Sequence, residues 1–447
     1  MKRNLYQSLL LSIILFCIST VKAQINPANN IIAVDVSTYN VQSGIANYDS
    51  SYTKGYDLGM REVGLFLNWT ILEPTPNNFD YTFLDIADIY YPASNMAVDI
   101  NINPINTNRL EIPSDLVNLA FDDVQMIERY KVLLDSVKLH IPNINISSFI
   151  IGSEIGAYLG NDAIKWTQYT NFYNAVGSYA KTLWPGLNIA VELQFSDIMN
   201  YNTFAQQINT YSDYIGVSYY PLWPDFTVKP PWTVAFDMDT LVDMYPTKPI
   251  CFYQFGYPSS PSCNSSDSLQ ADFIKQAFTY WDVFAANIRL IDFTWMTDLD
   301  TAAINYYATY YGLADTSFLD FLRTIGLRTW DGNGADKSAL NELRCQAKQR
   351  GYNNLPLACT PTTLETPIFE EKIFSIYPNP NQGSFNLQTS SSGTFYVFDV
   401  MGKQVFQKHF NKGNHVLEIK NLEAGIYFIK FFNPNGETSA ESLIINK

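Results

Sequence analysis

The stretch Ser147–Gly156, which reads Ser-Ser-Phe-Ile-Ile-Gly-Ser-Glu-Ile-Gly, decides the fold of this chain. Its short run of apolar, β-branched residues predicts a strand that is buried on both faces, as in a parallel sheet. The strand ends at Gly152-Ser153-Glu154, so its carboxyl end would deliver one carboxylate to the protein surface. Glu154 is therefore the first candidate for a functional residue. The alternative is that Glu154 only caps the helix that follows.

Similar apolar runs alternate with longer amphipathic stretches, such as Ile127–Leu139 and Trp166–Leu183, which predict helices. Eight strands separated by helices over roughly 320 residues are typical of a (β/α)8 barrel rather than an open sheet. We therefore predict a TIM barrel over residues 24–352. The eight predicted strands are Ile31–Ser37, Val63–Asn68, Met96–Ile102, Phe149–Gly152, Asn188–Leu193, Tyr214–Ser218, Ile250–Gln254 and Leu290–Trp295.

The first 23 residues have the pattern of a secretory signal peptide. Lys2 and Arg3 precede an apolar run from Leu9 to Cys17, and Val21-Lys22-Ala23 is a small-residue cleavage site. No later segment approaches the roughly 18 uninterrupted apolar residues of a membrane span. We therefore expect an exported chain that has no transmembrane segment after cleavage.

The formal net charge of the chain is -15, and removal of the signal peptide would leave -18. Such a charge disfavours nucleic acid and anionic lipid, which both bind through Lys and Arg. The chain also has 30 Tyr, 29 Phe and 8 Trp but only 16% charged residues. This composition suits stacking on the rings of a neutral ligand, although a large aromatic core would give the same count.

Five cysteines occur, and Cys17 would leave with the signal peptide. The other four form an even set in an exported chain, which favours disulfides over thiol chemistry. Their spacing favours Cys251 with Cys263 and Cys345 with Cys359, but the pairing stays open. The three histidines do not form a zinc motif or a Ser-His-Asp triad, and no phosphate-binding or EF-hand motif is visible. We therefore predict neither a metal nor a cofactor.

After Tyr352 the composition changes. Residues 353–372 contain three prolines and four threonines with little periodicity, which predicts an extended linker. Residues 373–447 predict a small all-β sandwich, because short alternating runs are separated by Gly and Asn turns. The runs are Gly393–Asp399, Gln404–Phe410, His415–Ile419 and Gly425–Phe432.

This tail resembles the C-terminal sorting domain of the type IX secretion system. The motifs are Tyr377-Pro-Asn-Pro380 followed by Gly383, then Asp399-Val-Met-Gly-Lys403, then Leu422-Glu-Ala-Gly-Ile-Tyr427. The resemblance implies that the secretion machinery is a partner, and that the protein passes through the periplasm and is then secreted or attached to the outer-membrane surface. The alternative is that the tail is a substrate-binding β-module.

The carboxyl ends of barrel strands carry the functional residues of this fold. Several carboxylates, amides and aromatic rings follow the predicted strands, and together they would suit the binding of a neutral sugar chain. Taken one by one, each is more often a packing residue or a helix cap. They are Asp35, Trp69, Glu73, Asn103, Asn106, Ser153, Glu154, Tyr219, Tyr220, Trp223, Gln254, Tyr257, Trp295 and Asp298.

The arrangement resembles the clan-A retaining glycoside hydrolases. Ile215–Trp223 with Gly256-Tyr-Pro258 is similar to the endo-β-1,4-galactanase family, and Trp69–Pro74 with Phe79-Asp-Tyr81 is similar to other members of the clan. The resemblance implies that Glu154 is the acid/base on the fourth strand. It also implies that Gln254 occupies the position of the nucleophile on the seventh strand.

Two residues depart from that pattern. Ser153 stands where the clan has Asn, and Gln254 stands where it has the nucleophilic Glu. A retaining mechanism needs two carboxyl groups about 5–5.5 Å apart, and an amide cannot form the glycosyl ester. Three interpretations stay open: another carboxylate (Asp298, Asp35 or Glu73) supplies the second function, the substrate itself attacks, or the barrel only binds glycan. We expect a glycoside hydrolase that acts on a neutral, β-linked polysaccharide or oligosaccharide.

Overall fold

The structure is a computed structural model. It describes residues 24–36, 45–330, 334–355, 359, 374–399, 404–420, 422–432 and 438–446. The predicted signal peptide and nearly all of the predicted linker lie outside the described residues.

A parallel sheet that closes into a barrel forms the first part of the chain. Its strands are β1 Ile31–Val34, β2 Glu62–Asn68, β3 Ala97–Asn106, β5 Asn145–Ser153, β6 Asn188–Ala190, β7 Glu192–Gln194, β8 Ile215–Tyr219, β9 Ile250–Phe255 and β10 Ile288–Phe293, and β4 Arg109–Leu110 pairs with the end of β3. The strand order is β6-β5-β3-β2-β1-β10-β9-β8-β7. Because β6 and β7 are two pieces of the fifth barrel strand, the two ends of this order meet and the predicted TIM barrel is confirmed.

Helices surround the barrel. They are α1 Ile45–Leu58, α2 Trp69–Leu72, α3 Thr82–Ala93, α4 Val124–His140, α5 Gly156–Leu159, α6 Ala163–Leu183, α7 Phe195–Asn200, α8 Asn202–Asn209, α9 Thr233–Met244, α10 Asp267–Val283, α11 Thr301–Tyr311, α12 Thr316–Thr324 and α13 Ser338–Gln349. Several begin at a side-chain cap: Asp123 accepts a hydrogen bond from the Gln125 N–H, and Asp162 accepts bonds from the first turn of α6. Such caps satisfy amides that otherwise have no partner in the helix. No helix in the described ranges has the length and apolarity to span a bilayer.

Successive residues of the barrel strands point alternately outward to the helices and inward to the barrel axis. Outward residues such as Ile100, Ile102 and Ile151 join the large core between sheet and helices. The inward residues include a small apolar cluster of Ala33, Ile150, Ala190, Cys251, Tyr253 and Leu290. Buried polar groups share the barrel interior, among them Asp99, Asn101, Glu192 and Asp292.

The second part of the chain is the predicted all-β region. A three-stranded antiparallel sheet contains β11 Phe374–Tyr377, β12 Ser384–Thr389 and β15 Gly413–Glu418, and a four-stranded sheet contains β13 Gly393–Phe398, β14 Gln404–Phe410, β16 Gly425–Phe432 and β17 Thr438–Ile445. Side chains from both sheets, such as Leu387, Phe395 and Ile429, form one core. The predicted sandwich is confirmed, and β11, β12 and β17 are strands in addition to those predicted.

Of the two cysteine pairs favoured by spacing, one exists. Cys345 and Cys359 form a disulfide with a Cα–Cα distance of 5.5 Å. Cys251 and Cys263 are free and buried, so their predicted pairing is wrong. Cys251 faces the barrel interior, whereas Cys263 packs in a separate cluster with Leu299 and Phe318. Burial raises the pKa of the Cys251 thiol to about 12 and that of Cys263 to about 11, which keeps both unreactive.

Candidate active site

Glu154 lies at the carboxyl end of β5, where the chain turns sharply. Its own φ is 50° and that of Gly152 is 90°, both in the left-handed region. A Cβ on Gly152 would lie 2.3 Å from the Tyr169 hydroxyl, so only glycine fits at that position. A left-handed conformation at a non-glycine residue costs about 1 kcal/mol or more, and such strain concentrates at functional sites. The turn therefore places Glu154 at the mouth of the barrel at a local cost in stability.

Two hydroxyl groups fix the carboxylate of Glu154. The Ser218 hydroxyl on β8 donates to Oε1 at 2.7 Å, and the Thr107 hydroxyl after β3 donates to Oε2 at 2.8 Å. The residue is 8% exposed, so one edge of it remains accessible at the mouth. The carboxylate is thus held between two strands in one orientation.

Two further carboxyl groups lie beside Glu154, and neither was among the site residues predicted from the sequence. Burial, reinforced by the charge of Glu154, raises the pKa of Glu192 to about 8 and that of Asp197 to about 7. Glu192 is the first residue of β7 and is fully buried, while Asp197 lies in α7. Glu192 therefore holds a proton at neutral pH. In the sequence, Glu192 can be recognised only as a glutamate within the largely apolar predicted strand Asn188–Leu193.

Gln254, near the end of β9, also lies in this group. Its side-chain oxygen accepts a hydrogen bond from the Tyr220 hydroxyl at 2.8 Å, and its amide nitrogen donates to the Ser153 hydroxyl at 3.4 Å. The Ser153 hydroxyl in turn donates to Glu192 at 2.6 Å. Gln254 is half-buried, so its side chain lies at the mouth rather than in the barrel wall. Ser153, with 3% exposure, connects Gln254 with Glu192 instead of facing solvent.

Asp35 and Trp295 lie together on the opposite side of the mouth, after β1 and β10. The Trp295 indole hydrogen-bonds the Asp35 carboxyl, and the balance between burial and this bond raises the pKa of Asp35 to about 6. Trp295 stacks on Tyr307 with ring centres 6.0 Å apart, and both rings are partly exposed. Trp295 is thus available as a stacking surface for a ligand.

Trp223 lies in the loop after β8 and is also half-buried. The Lys229 ammonium sits 5.1 Å from the centre of its ring. One face of the indole is therefore covered by a cation. Its role in sugar binding stays a prediction.

Several residues predicted to bind substrate are core residues instead, so those predictions are wrong. Trp69 has no exposed surface: its indole donates to Glu73 at 3.0 Å and its ring packs edge-on against Tyr130. Glu73 is equally buried and forms an ion pair with Arg129. Both residues follow β2, and their contacts with Tyr130 and Arg129 on α4 place them in the core between the sheet and the helices.

Tyr219 and Tyr257 are also buried, each with 1% exposure. The Tyr219 hydroxyl donates to Asp237 on α9 at 2.7 Å, and the Tyr257 hydroxyl donates to the Lys229 carbonyl at 2.7 Å. Both rings pack on Phe273 in the helix layer. Asn103 has 1% exposure and lies inside the barrel, so it has almost no surface to offer a ligand.

Asp298 was predicted as a second catalytic carboxyl. Its Oδ1 accepts a bond from the Lys337 ammonium at 2.6 Å, while burial raises its pKa to about 7. This buried ion pair joins the segment after β10 to the start of α13, which is a structural role. The carboxyl groups adjacent to Glu154 are Glu192 and Asp197 instead. Within the ranges that the structure describes, no cluster of three or more His, Cys, Asp or Glu side chains could hold a metal.

Residues 375–446 match the family described as "Secretion system C-terminal sorting domain". The resemblance of the tail is thereby confirmed, and it indicates export to the cell surface or beyond. A search of curated protein sequences finds no match.

Solved structures that resemble the chain include glycosidases. The exo-β-1,4-mannosidase Op5Man5 from an Opitutaceae bacterium superposes with a TM-score of 0.58 at 15% identity, over 74% of this chain and 61% of that one. A GH5_18 protein from Bifidobacterium longum, solved with Manβ1-4GlcNAc, has a TM-score of 0.58 at 11% identity over 72% of this chain and 78% of its own. A GH5_18 protein from Streptomyces cattleya has a TM-score of 0.57 at 12% identity over 73% and 82%.

These likenesses show that the barrel shares the (β/α)8 fold of these glycosidases. This chain spans about six tenths of the length of the mannosidase. The galactanase-like motifs stay a prediction.

Proposed function

We propose that the barrel hydrolyses glycosidic bonds in a neutral, β-linked polysaccharide outside the cell, with Glu154 as the general acid/base. The observation that carries this proposal is the geometry of Glu154. It lies at the carboxyl end of the fourth barrel strand, is oriented by Ser218 and Thr107, and faces the mouth across from Gln254. A general acid must lie within hydrogen-bond reach of the leaving oxygen, and a fixed carboxyl at the mouth meets that requirement.

The neighbouring carboxyl group of Glu192 adds little charge beside Glu154. Because burial raises the pKa of Glu192 to about 8, Glu192 is neutral at pH 7 and places no second full charge there. Glu192 is fully buried, however, so it acts through Glu154 and Ser153 rather than by touching substrate.

The amide of Gln254 limits the hydrolytic mechanisms that this site can use. Its amide cannot form a glycosyl ester, and Glu73 and Asp298 are held in buried ion pairs. Asp35 is the third carboxylate that the sequence suggested, and it keeps partial exposure at the mouth. We propose that Glu154 protonates the leaving oxygen while Gln254, held by Tyr220 and Ser153, orients the attacking group. When that group belongs to the substrate, Glu154 then takes the proton of the water that opens the cyclic intermediate. When that group is water, its proton passes to Asp35.

A second candidate function is a catalytically inactive barrel that binds glycan at the cell surface. The observation that favours it is the amide at the nucleophile position. Both functions predict binding of neutral glycan, so only turnover separates them.

The test measures hydrolysis of plant and algal β-linked polysaccharides by the wild type, Glu154→Gln and Gln254→Glu. We expect Glu154→Gln to lower turnover about 100-fold with glycan affinity retained, because only proton transfer is removed. The matched control is Glu128→Gln, which removes an exposed carboxylate from α4. Equal turnover by wild type and Glu154→Gln would refute the acid/base assignment. An inactive wild type whose activity appears only with Gln254→Glu would establish the binding function.

We further propose that the chain reaches the periplasm before the tail directs it outward. Truncation after Lys372 should leave glycan binding unchanged and leave the protein in the periplasm. Immunoblots of periplasm and medium measure this, and normal release of the truncated protein would contradict the proposal.

A further inference from the structure

Helix α11 crosses the mouth of the barrel. It follows β10 and ends against the segment after β3: the Asn108 amide donates to the Tyr311 carbonyl at 3.2 Å, and the Tyr310 hydroxyl donates to Glu111 at 2.8 Å. The Arg109 guanidinium lies 5.3 Å from the centre of the Tyr310 ring. In the barrel order, β1 and β2 lie between β10 and β3. The Tyr310 hydroxyl also hydrogen-bonds Asn68, the last residue of β2. The helix therefore joins the β10 side of the mouth to the ends of β2 and β3.

Helix α11, which we call the bridge, reaches the proposed catalytic carboxyl of Glu154. The Tyr311 hydroxyl hydrogen-bonds the Thr107 side chain, which donates to Glu154 at 2.8 Å. Burial and the nearby Glu154 carboxylate raise the pKa of Tyr311. The Thr107 hydroxyl therefore contacts both Tyr311, at the end of α11, and Glu154.

The bridge also has an aromatic wall. Trp295 stacks on Tyr307, and Tyr307 stacks on Tyr311 with ring centres 5.9 Å apart and planes 14° apart. These three rings form a column from the end of β10 to Thr107. The other two rings cover both faces of Tyr307, so a sugar ring can stack only on a ring at an end of the column. Tyr306, which is 60% exposed, lies outside this column on the same helix.

We infer that α11 closes the β1–β3 side of the mouth, so that the site takes the end of a glycan chain rather than an internal segment. The inference rests on the proposed function and adds chain-end specificity to it. An internal sugar needs an open path for the chain on both sides of Glu154. The contacts of Asn108, Tyr310 and Tyr311 close one of those sides, and the terminal sugar would meet the column of three rings.

The test uses β-1,4-linked hexaoses of mannose, galactose and glucose in three forms: free, capped at the non-reducing end by a 4,6-ketal, and labelled at the reducing end with 2-aminobenzamide. Binding is measured calorimetrically on full-length Glu154→Gln, and products are identified with the wild type. We expect one of the two end modifications to weaken binding at least 100-fold and the other to change it less than threefold. Tolerance of both modifications would overturn the inference and leave the proposed function intact. Binding of no free hexaose would overturn the proposed function, and the inference with it.

A variant of the bridge tests the role of α11 itself. Asn108→Ala combined with Tyr310→Phe, both introduced into Glu154→Gln, removes the bond from Asn108 to Tyr311 and the bonds of the Tyr310 hydroxyl with Glu111 and Asn68, which hold the helix over the mouth. We expect at least a tenfold gain in affinity for the hexaose form that the parent rejects. Tyr306→Phe is the matched control, because it removes a tyrosine hydroxyl from the exposed side of the same helix. No gain in the double variant, with its fold intact by circular dichroism, would overturn the role of α11.

Discussion

Ser148 and Ser153 lie at the two ends of the barrel interior on the same strand, and each donates its hydroxyl to a buried carboxyl on a neighbouring strand. Ser148 donates to Asp99 at 2.5 Å, and Ser153 donates to Glu192 at 2.6 Å. Burial is the largest cause of a raised pKa at both carboxyls, and each also feels a second carboxylate: Glu62 beside Asp99, and Glu154 beside Glu192. The local chemistry of the two pairs is therefore closely matched.

The two pairs differ in charge balance. At the amino-terminal end of the barrel, Arg289 donates to Glu62 at 2.9 Å and also lowers the pKa of Asp99. At the mouth, no lysine or arginine among the described residues pairs with Glu154, Glu192 or Asp197. A buried carboxylate without a cation is costly and must take up a proton or a ligand. At the amino-terminal end the carboxyl groups are balanced by a cation of the protein, whereas at the mouth they are not, and this is the charge balance that the proposed function requires.

The largest effect should come from removing the cation of the structural cluster. Arg289→Met leaves Glu62 and Asp99 buried without a positive charge, and breaking such a pair costs about 3–5 kcal/mol. Urea unfolding of the barrel measures the free energy. Lys181→Met is the control, because its pair with Asp213 is exposed and is expected to contribute less than about 1 kcal/mol. A loss below about 1 kcal/mol for Arg289→Met would show that Glu62 and Asp99 need no cation.

The next effect concerns the pH dependence of stability at the mouth. The folded-state pKa of Glu192, about 8, lies above its ordinary value of 4.5. The unfolded chain therefore releases this proton first, so the contribution of Glu192 is complete below pH 4.5 and is lost as pH rises to about 8. The slope is about 1.4 kcal/mol per pH unit for one proton. Glu192→Gln should remove that slope from unfolding curves measured between pH 5 and 8. Glu128→Gln should keep the slope, and an unchanged slope in Glu192→Gln would show that Glu192 is ionised in the folded state.

The sequence predicts the barrel strands well but predicts the direction of single side chains poorly. The barrel strands were predicted because buried parallel strands are continuous apolar runs, and even the fifth strand, which is split at Val191, was found. The direction of single side chains was harder. Tyr219, the last residue of β8, and Tyr220, which follows it, were both assigned to the site. Adjacent residues of an extended chain point to opposite sides, and of these two only Tyr220 bonds Gln254.

Charge partners were the least predictable. Glu73 and Asp298 looked like rim carboxylates, but their partners Arg129 and Lys337 are 56 and 39 residues away in the sequence. Glu192 was hidden in an apolar run because a strand pattern does not show that an inward glutamate lies beside Glu154. These pairings depend on how the barrel closes, which local sequence does not encode.

The smallest effect compares the two serines directly. Ser148→Ala and Ser153→Ala each remove a hydrogen bond to a buried carboxyl and a second bond, to Tyr253 and Gln254 respectively, which together should lower the free energy of unfolding by about 1–3 kcal/mol. Only Ser153→Ala should also change turnover, by about 3- to 10-fold, because the Gln254 amide loses its contact with Ser153.

The hydrogen bond from Ser153 also lowers the pKa of Glu192. In Ser153→Ala the pKa of Glu192 should therefore rise above 8, and the fall of stability with pH should continue to that higher pH. Steady-state kinetics and unfolding at several pH values measure both effects, and Ser148→Ala serves as the matched control from the same strand. Equal turnover in the two variants would mean that Ser153, like Ser148, is only structural. The proposed distinction between the two ends of the barrel would then rest on Arg289 alone.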